Sequence, residues 1–223
     1  MNISILTGPG IVDSKASNDA SDILFYDNHR ITGITEFNNR FYQSLSGWQS
    51  RPQGVLNHYN QQRRALLSIA PSDIHYAITA LSRAHTVNLV TFNTDNLHER
   101  SGAVNVLHLQ GTIMEARCDY PAHQCVKLLD YTTPMRQSDH CKHDRPYRPN
   151  VIFFEEEVSN YQRAVTQLLQ GDLLLCIGCT DRTPLLESIV RETKRRIPVH
   201  FLSNTDAMVS LTNVLSEENT FAL

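Results

Sequence analysis

The chain has 223 residues, 41% of them hydrophobic, which is enough for a real core in one domain or one domain with a small insertion. Its 20 basic and 23 acidic residues leave a formal charge of -3 and are mixed along the chain, so no footprint for nucleic acid or an anionic membrane surface is present, and a small molecule or a protein is the expected partner. No apolar run approaches the roughly 18 to 20 residues that span a bilayer, and five cysteines at uneven spacing point to free thiols or metal ligands in a cytoplasmic protein, not to a disulfide framework.

The opening segment from Asn2 to Leu6 reads as a buried strand running into the turn Thr7-Gly8-Pro9-Gly10, with no signal peptide before it. From Val12 to about Gln53 the pattern weakens into Asn, Asp and Ser, and only a helix near Thr35 to Ser46 is expected. Pro71 stands at a first helical position, and Ile74, Ala77, Ile78 and Leu81 recur at helical spacing, which predicts an amphipathic helix from Pro71 to His85. Strands are expected at Val87 to Phe92 and Asn105 to Leu109, on either side of the polar loop Asn93 to Gly102. A stretch rich in Cys, His and Asp then looks like an inserted module.

Beyond it, Val151 to Phe154 reads as a strand, and Tyr161, Ala164, Val165, Leu168 and Leu169 mark a helix that Gly171 closes as its C-cap. Leu173 to Ile177 is a continuous apolar strand, Pro184 to Arg196 is helical, and Val199 to Leu202 is another strand. Strands alternating with helices imply an α/β fold with a doubly wound parallel sheet. Ligands of such sheets sit outside the carboxyl ends of the strands. Three polar loops lie there: Thr7 to Gly10, Asn93 to His98, and Gly178 to Thr183.

Each motif has two readings. Gly8-Pro9-Gly10 carries two glycines of a dinucleotide fingerprint, or it is an ordinary strand-ending turn. Asn93, Asp95 and His98 meet a ligand at the sheet edge, or they cap a turn. Cys118, Cys125 and Cys141, with His123, His140 and His143 among them, supply a tetrahedral zinc, or remain thiols and surface imidazoles; the set Cys118, Cys125, Cys141 and His143 is the candidate ligand group. Cys179 after Gly178 is a small residue packed at a strand end more readily than a nucleophile, since no nucleophile-elbow pattern surrounds it.

Taken in order, these segments resemble the sirtuin family. SILTGPGI resembles its glycine-alanine-glycine loop, with Pro9 replacing the alanine, and APSDIHYAITAL resembles the helix after its small insertion. VTFNTDNLHERSG resembles its most diagnostic segment, LHLQGTIMEARC the strand leading to its zinc module, and YRPNVIFFEEE and DLLLCIGCTDRTP complete the series. The resemblance implies a single sirtuin-like domain over residues 1–223. Residues 1–30, 60–112 and 150–215 would form a Rossmann-like part, and residues 31–59 and 113–149 a small helical and Cys/His-bearing module. It implies NAD as cofactor and a protein as substrate. Asn93 and Asp95 would surround the nicotinamide ribose and carboxamide, and Gln110 would contact the ribose. Thr7, Gly8, Gly10, Ile11, Asp19, Gly178, Cys179, Thr180 and Asn204 would line the rest of the cofactor site.

The sequence departs from the family pattern at several of these places. The family's general base is a histidine directly before Gly-Ser or Gly-Thr, and Gln110 stands there, before Gly111-Thr112. Asp19 is followed by Ala20 and Ser21 where the family has Asp-Phe-Arg, Phe92 replaces a glutamine, and Gly178-Cys179-Thr180 takes the place of Gly-Thr-Ser. Macrodomain-linked microbial sirtuins are similar in carrying Gln at the base position and are associated with protein ADP-ribosylation. A glutamine takes no proton near neutral pH, so the resemblance favours an NAD-consuming ADP-ribosyltransferase. The alternatives are a deacylase and a non-catalytic NAD or ADP-ribose binding module.

Overall fold

A computed structural model describes residues 1–11, 41–179 and 183–216 of the chain. Two compact units divide it: Met1–Lys15, Pro71–Leu109 and Ser159–Leu223 form the first, and Ala16–Ala70 and Gln110–Val158 the second.

The first unit is built on a five-stranded parallel sheet. Its strands are β1 (Asn2–Thr7), β2 (Thr86–Thr91), β3 (Leu107–His108), β7 (Leu173–Ile177) and β8 (Val199–Leu202), in the order β3-β2-β1-β7-β8. Ile3 pairs with Val87 on one side of β1 and with Leu173 on the other. The chain winds outward from β1 in both directions, so the topological switch point lies between β1 and β7, as the alternation of elements predicts.

Alternating side chains divide the two faces of this sheet. Ile3, Ile5, Leu89, Leu173, Leu175 and Ile177 form one cluster with Ile74, Ile78 and Leu81 of the helix Asp73–Leu81 and with Ala207 and Leu211 of the helix Asn204–Ser216. Each large aliphatic side chain so buried stabilises the fold by roughly 1.5–3 kcal/mol before conformational entropy is set against it. On the helices Tyr161–Leu168 and Pro184–Thr193, Ala164, Val165, Leu168, Leu186 and Ile189 are buried, as are Leu6, Val90 and Leu174 of the sheet.

Several boundaries differ from expectation. The helix begins at Asp73, because Ser72 rather than Pro71 takes the N-cap, its backbone N–H donating to His75 Nδ1 at 3.1 Å. The third strand shrinks to two residues, since Asn105 sits in the left-handed region at φ 57°. Gly171 is no left-handed C-cap; its missing Cβ makes room for Ser4 Oγ, which a Cβ would meet at 2.4 Å. Of the helix expected near Thr35 to Ser46, the part through residue 40 lies outside the described residues, and a short helix runs from Leu45 to Ser50.

The second unit holds that short helix, the helix Pro52–Ala65, and an antiparallel sheet of β4 (Gly111–Cys118), β5 (Val126–Leu128) and β6 (Tyr147–Val151) in the order β5-β4-β6. The strand expected at Val151 to Phe154 thus ends at Val151, begins earlier, and pairs with β4 instead of joining the parallel sheet. Residues 60–70 and 150–158 fall in this unit. Arg63, 1% exposed, donates to the carbonyls of Asp130 and Thr133, while Asn60 bonds both backbone groups of Met135, so the helix Pro52–Ala65 pins the loop that follows β5. Arg148 and Glu156 make a bidentate pair at 2.7 and 2.8 Å, and Arg148 also lies 3.8 Å over the Phe153 ring. Among the described residues no helix is long and apolar enough to cross a membrane.

Candidate functional site

The carboxyl ends of β1, β2 and β7 lie side by side, and the loops leaving them carry most of the residues singled out from the sequence. Thr7 ends β1 and is fully buried. Its Oγ1 donates to Thr91 Oγ1 at the end of β2 (2.8 Å) and lies 2.9 Å from His98 Nε2, and Thr91 Oγ1 accepts the backbone N–H of Asn93 at 3.0 Å. The two threonines therefore tie the start of the Asn93 loop to both strands and leave Thr7 Oγ1 engaged within the protein.

From the other side of the loop, the Asn93 carbonyl lies 2.7 Å from His108 Nδ1, whose Nε2 lies 2.9 Å from Glu99 Oε1. Both partners only accept, so the arrangement is complete only with a proton on each ring nitrogen. Burial works against that imidazolium, but the bond to Glu99, its charge, the Asn93 carbonyl and Asp95 outweigh burial and hold the His108 pKa above its ordinary 6.5. His98 and His75, with rings 4.7 Å apart, go the other way: burial lowers both, His75 to about 4 and His98 well below its usual value, so they are neutral near pH 7.

Inside this frame the two acidic-loop candidates behave differently. Asp95, 2% exposed, accepts the Leu97 N–H on Oδ1 at 2.7 Å and caps the short helix Leu97–Arg100, which is the turn-capping role. Asn93 is 3% exposed, and both Oδ1 and Nδ2 of its carboxamide are buried without a hydrogen-bond partner among the described residues. Leaving a buried amide group unpaired costs about 1–3 kcal/mol, and a folded chain rarely carries such a group unless something else supplies the bonds. An unpaired carboxamide, one donor and one acceptor in a dry loop, matches another carboxamide or a pair of ribose hydroxyls. The residues present therefore fit a nicotinamide nucleoside.

The glycine turn is closed by the protein itself. Gly8 N–H donates to the Ile177 carbonyl at 2.9 Å, Gly10 N–H to the Gly178 carbonyl at 3.0 Å, Ile11 N–H to the Gly8 carbonyl at 3.4 Å, and Pro9 has no N–H. A Cβ on Gly8 would stand 2.5 Å from the Gly178 oxygen, and one on Gly178, at φ +64°, would stand 2.6 Å from the Ile11 nitrogen. These glycines have an internal reason as well: they let the turns after β1 and β7 interlock. Ile11 is 1% exposed and packs in the core. Asn204 reaches the same turn, its Nδ2 donating to the Gly10 carbonyl at 2.6 Å, and Cys179 is half-buried at the end of β7. Asp19 and Thr180 lie outside the described residues.

Gln110 is half-buried in the second unit, where its carbonyl accepts the Ile152 N–H at 2.8 Å just before Gly111, whose φ of +80° lets β4 press against Asn150. That unit also gathers the sulfur ligands. Ligand atoms of Cys118, His123 and Cys141 lie within 4.8 Å of one another, and the Cys125 Sγ donates to the His123 carbonyl at 3.2 Å. Such a cluster suits a tetrahedral ion with bonds of about 2.0–2.3 Å to nitrogen and sulfur. His123 joins this group, and His143, the histidine expected there, has its ring centroid 4.2 Å from that of His123. Burial raises the Cys118 thiol pKa; at Cys141 burial is outweighed by the His143 and Arg145 N–H groups and the neighbouring thiols, which lower it.

His75, Glu99 and His108 were not singled out from the sequence. His108 alone left a trace, a polar residue between Leu107 and Leu109 in an apolar run.

A family model described as the Sir2 family matches residues 15–182. An NAD-dependent protein deacylase of Helicobacter pylori is 31% identical over 180 residues, covering 79% of this chain and 73% of that protein. One from Vibrio cholerae is 32% identical over 185 residues, covering 79% and 70%. Among solved structures, a Sir2 homologue in complex with NAD shares 19% identity with a TM-score of 0.74 over 96% of this chain and 88% of that one. A Sir2 homologue mutant in complex with ADP-ribose gives 0.75 over 96% and 90%.

Proposed function

The chain belongs to the Sir2 family, and we propose that it binds NAD, releases nicotinamide and transfers the ADP-ribosyl group to a protein. The observation that carries this reading is the buried, unpaired carboxamide of Asn93 at the carboxyl edge of the sheet. When bound, NAD supplies an ADP-ribosyl group on a carbon from which nicotinamide can depart.

The chain's own residues divide the remaining work. Asn93 orients the reacting end of the cofactor through its two free polar atoms. Asp95 adds a carboxylate to the loop whose first turn it caps. Thr91 and His108 hold the Asn93 backbone from its two sides, so the side chain is preorganised. Gln110 can donate or accept a hydrogen bond to a ribose hydroxyl but removes no proton, which suits transfer to an acceptor that brings its own nucleophile. Asn204, Gly10 and Cys179 contribute to the rest of the cofactor groove, and Cys118, Cys125, His123 and Cys141 hold a structural zinc.

A second reading, protein deacylation, is supported by what the relatives are called. Incubating the protein with labelled NAD, with and without an acylated peptide and a cell extract, separates the two. Label transferred to protein independently of the peptide supports ADP-ribosylation. Rapid deacylation that requires the peptide overturns that preference, and NAD binding without any nicotinamide release marks a non-catalytic binding module.

A further inference from the structure

Strand β7 ends in Cys176-Ile177-Gly178-Cys179, two thiols separated by two residues. Side chains three apart on a strand ordinarily face opposite sides of the sheet. Here Gly178 turns the chain at φ +64°, and both cysteines come to Leu6: Cys176 is its partner across the sheet, and the Cys179 thiol reaches its carbonyl. Cys176 is 1% exposed, whereas Cys179 is half-buried, its Sγ 3.6 Å from the Leu6 carbonyl and 3.7 Å from that of Ile177.

We propose that Cys176 and Cys179 are a modification site, a dithiol that closes to an intrachain disulfide by exchange with a low-molecular-weight disulfide, and that closure disturbs the turn joining β1 to β7. The more accessible Cys179, as thiolate, attacks one sulfur of the small disulfide; a protein–small-molecule disulfide forms, and the departing sulfur takes up the proton that Cys179 gave up. Cys176 then attacks the Cys179 sulfur and expels the second small thiol, which gains the proton lost by Cys176. Two protein thiols are oxidised to one disulfide, and one small disulfide is reduced to two thiols. The order follows from the surroundings, because the neighbouring Cys179 and burial push the Cys176 thiol far above its ordinary range, so it stays protonated until the mixed disulfide is beside it.

Closure reaches the β1 turn because the new ring encloses Ile177 and Gly178. Their carbonyls accept the Gly8 and Gly10 N–H groups, and Gly8 already abuts the Gly178 oxygen and Cys179 Cα, so the contact has no slack. Drawing the sulfurs to a bond of about 2 Å shifts this interlock. The effect on NAD rests on the reading that the β1 turn borders the cofactor site.

The test treats the reduced full chain with glutathione disulfide, alkylates the remaining thiols and digests with trypsin. Residues 164–182 lie between Arg163 and Arg182 and carry both cysteines in one peptide. That peptide should lose the mass of two hydrogens and escape alkylation, while NAD affinity measured by calorimetry falls roughly tenfold, the worth of about one hydrogen bond, and recovers with a reductant. Cys176→Ala should bind NAD as the reduced protein does and, with the oxidant, stop at a glutathione adduct on Cys179; Cys179→Ser should form no bridge. A bridge mapped only to Cys118, Cys125 or Cys141, a glutathione adduct on Cys179 that never closes, or unchanged NAD affinity in the bridged protein overturns the proposal. Failure of the reduced protein to bind NAD overturns the functional reading instead, since the peptide mass reports the disulfide by itself.

Discussion

Replacing Glu99 by Gln should move the pH dependence of the enzyme in a direction the structure fixes. His108 donates to both Glu99 and the Asn93 carbonyl only while both ring nitrogens carry protons. The folded-state pKa of His108 is raised, so its contribution to stability is fully present below the unfolded value, near 6.5, and is lost as pH rises through the higher folded value. The groups facing the ring are Glu99, Asp95 and the neutral His98. Glu99 is 41% exposed at its side chain, so the ion pair belongs to the weak, solvent-screened class worth roughly 0.2–1 kcal/mol. His108→Phe goes further and strands the buried Asn93 carbonyl, at about 1–3 kcal/mol. In a chain of this size each kcal/mol is about 2–4 °C in Tm. Thermal unfolding followed by circular dichroism across neutral pH should show Glu99→Gln lowering Tm by no more than a few degrees below neutrality and by less in alkali. Nicotinamide release should lose its alkaline limb at a lower pH in Glu99→Gln than in the natural sequence. If that limb stays where it was, or if His108→Phe works as well as the natural protein at every pH, His108 does not hold Asn93 in its working position.

Asn93→Ala should abolish nicotinamide release while leaving Tm equal or higher, because the change removes two buried polar atoms that have no partner among the described residues, a combination that a merely structural asparagine would not give. Gln110→His should bring acyl-peptide-dependent deacylation into a product assay where the natural sequence shows little, since it restores a group that can take a proton. Gly178→Ala should lose at least about 1–2 kcal/mol in denaturant titration, the cost of a Cβ in the left-handed region, with the Ile11 contact adding to it. Metal analysis should find zinc in the purified protein, and a chelator should lower Tm in the natural sequence but much less in Cys118→Ser.

What could be read from the sequence followed the strength of apolar pattern. Leu173 to Ile177 announced itself because a parallel sheet covered on both faces needs continuous apolar strands, and Val87 to Phe92 kept enough of that pattern to be read as well. The helix Pro52–Ala65 did not, because it buries His58, Asn60 and Arg63, and the last two find partners on a distant loop that no local periodicity encodes. Strand β6 was displaced for a related reason: Pro149 argues against a strand, yet β6 is the edge of its sheet, where a missing N–H is tolerated. Asn93 was visible as a polar residue after a strand, but its distinction from Asp95 was not. Both are common in turns, and only the partners of their side-chain atoms separate the cap from the carboxamide left open. His108 was invisible as a support, since its two acceptors come from a helix and a loop earlier in the chain.

The interlocked turns after β1 and β7 also say something about how the protein comes into being. Strand β1 is made before either of its neighbours, for Ile3 is flanked by Val87 on one side and Leu173 on the other, and Gly8 finds its carbonyl partner only at Ile177. At roughly 5–20 residues per second, a ribosome exposes the first strand for about ten to thirty seconds before its second neighbour exists. A strand with two open edges is a template for wrong pairing during that wait. The centre of the sheet is therefore completed only once β7 has been made, and until then it is the place where a nascent chain most needs shelter.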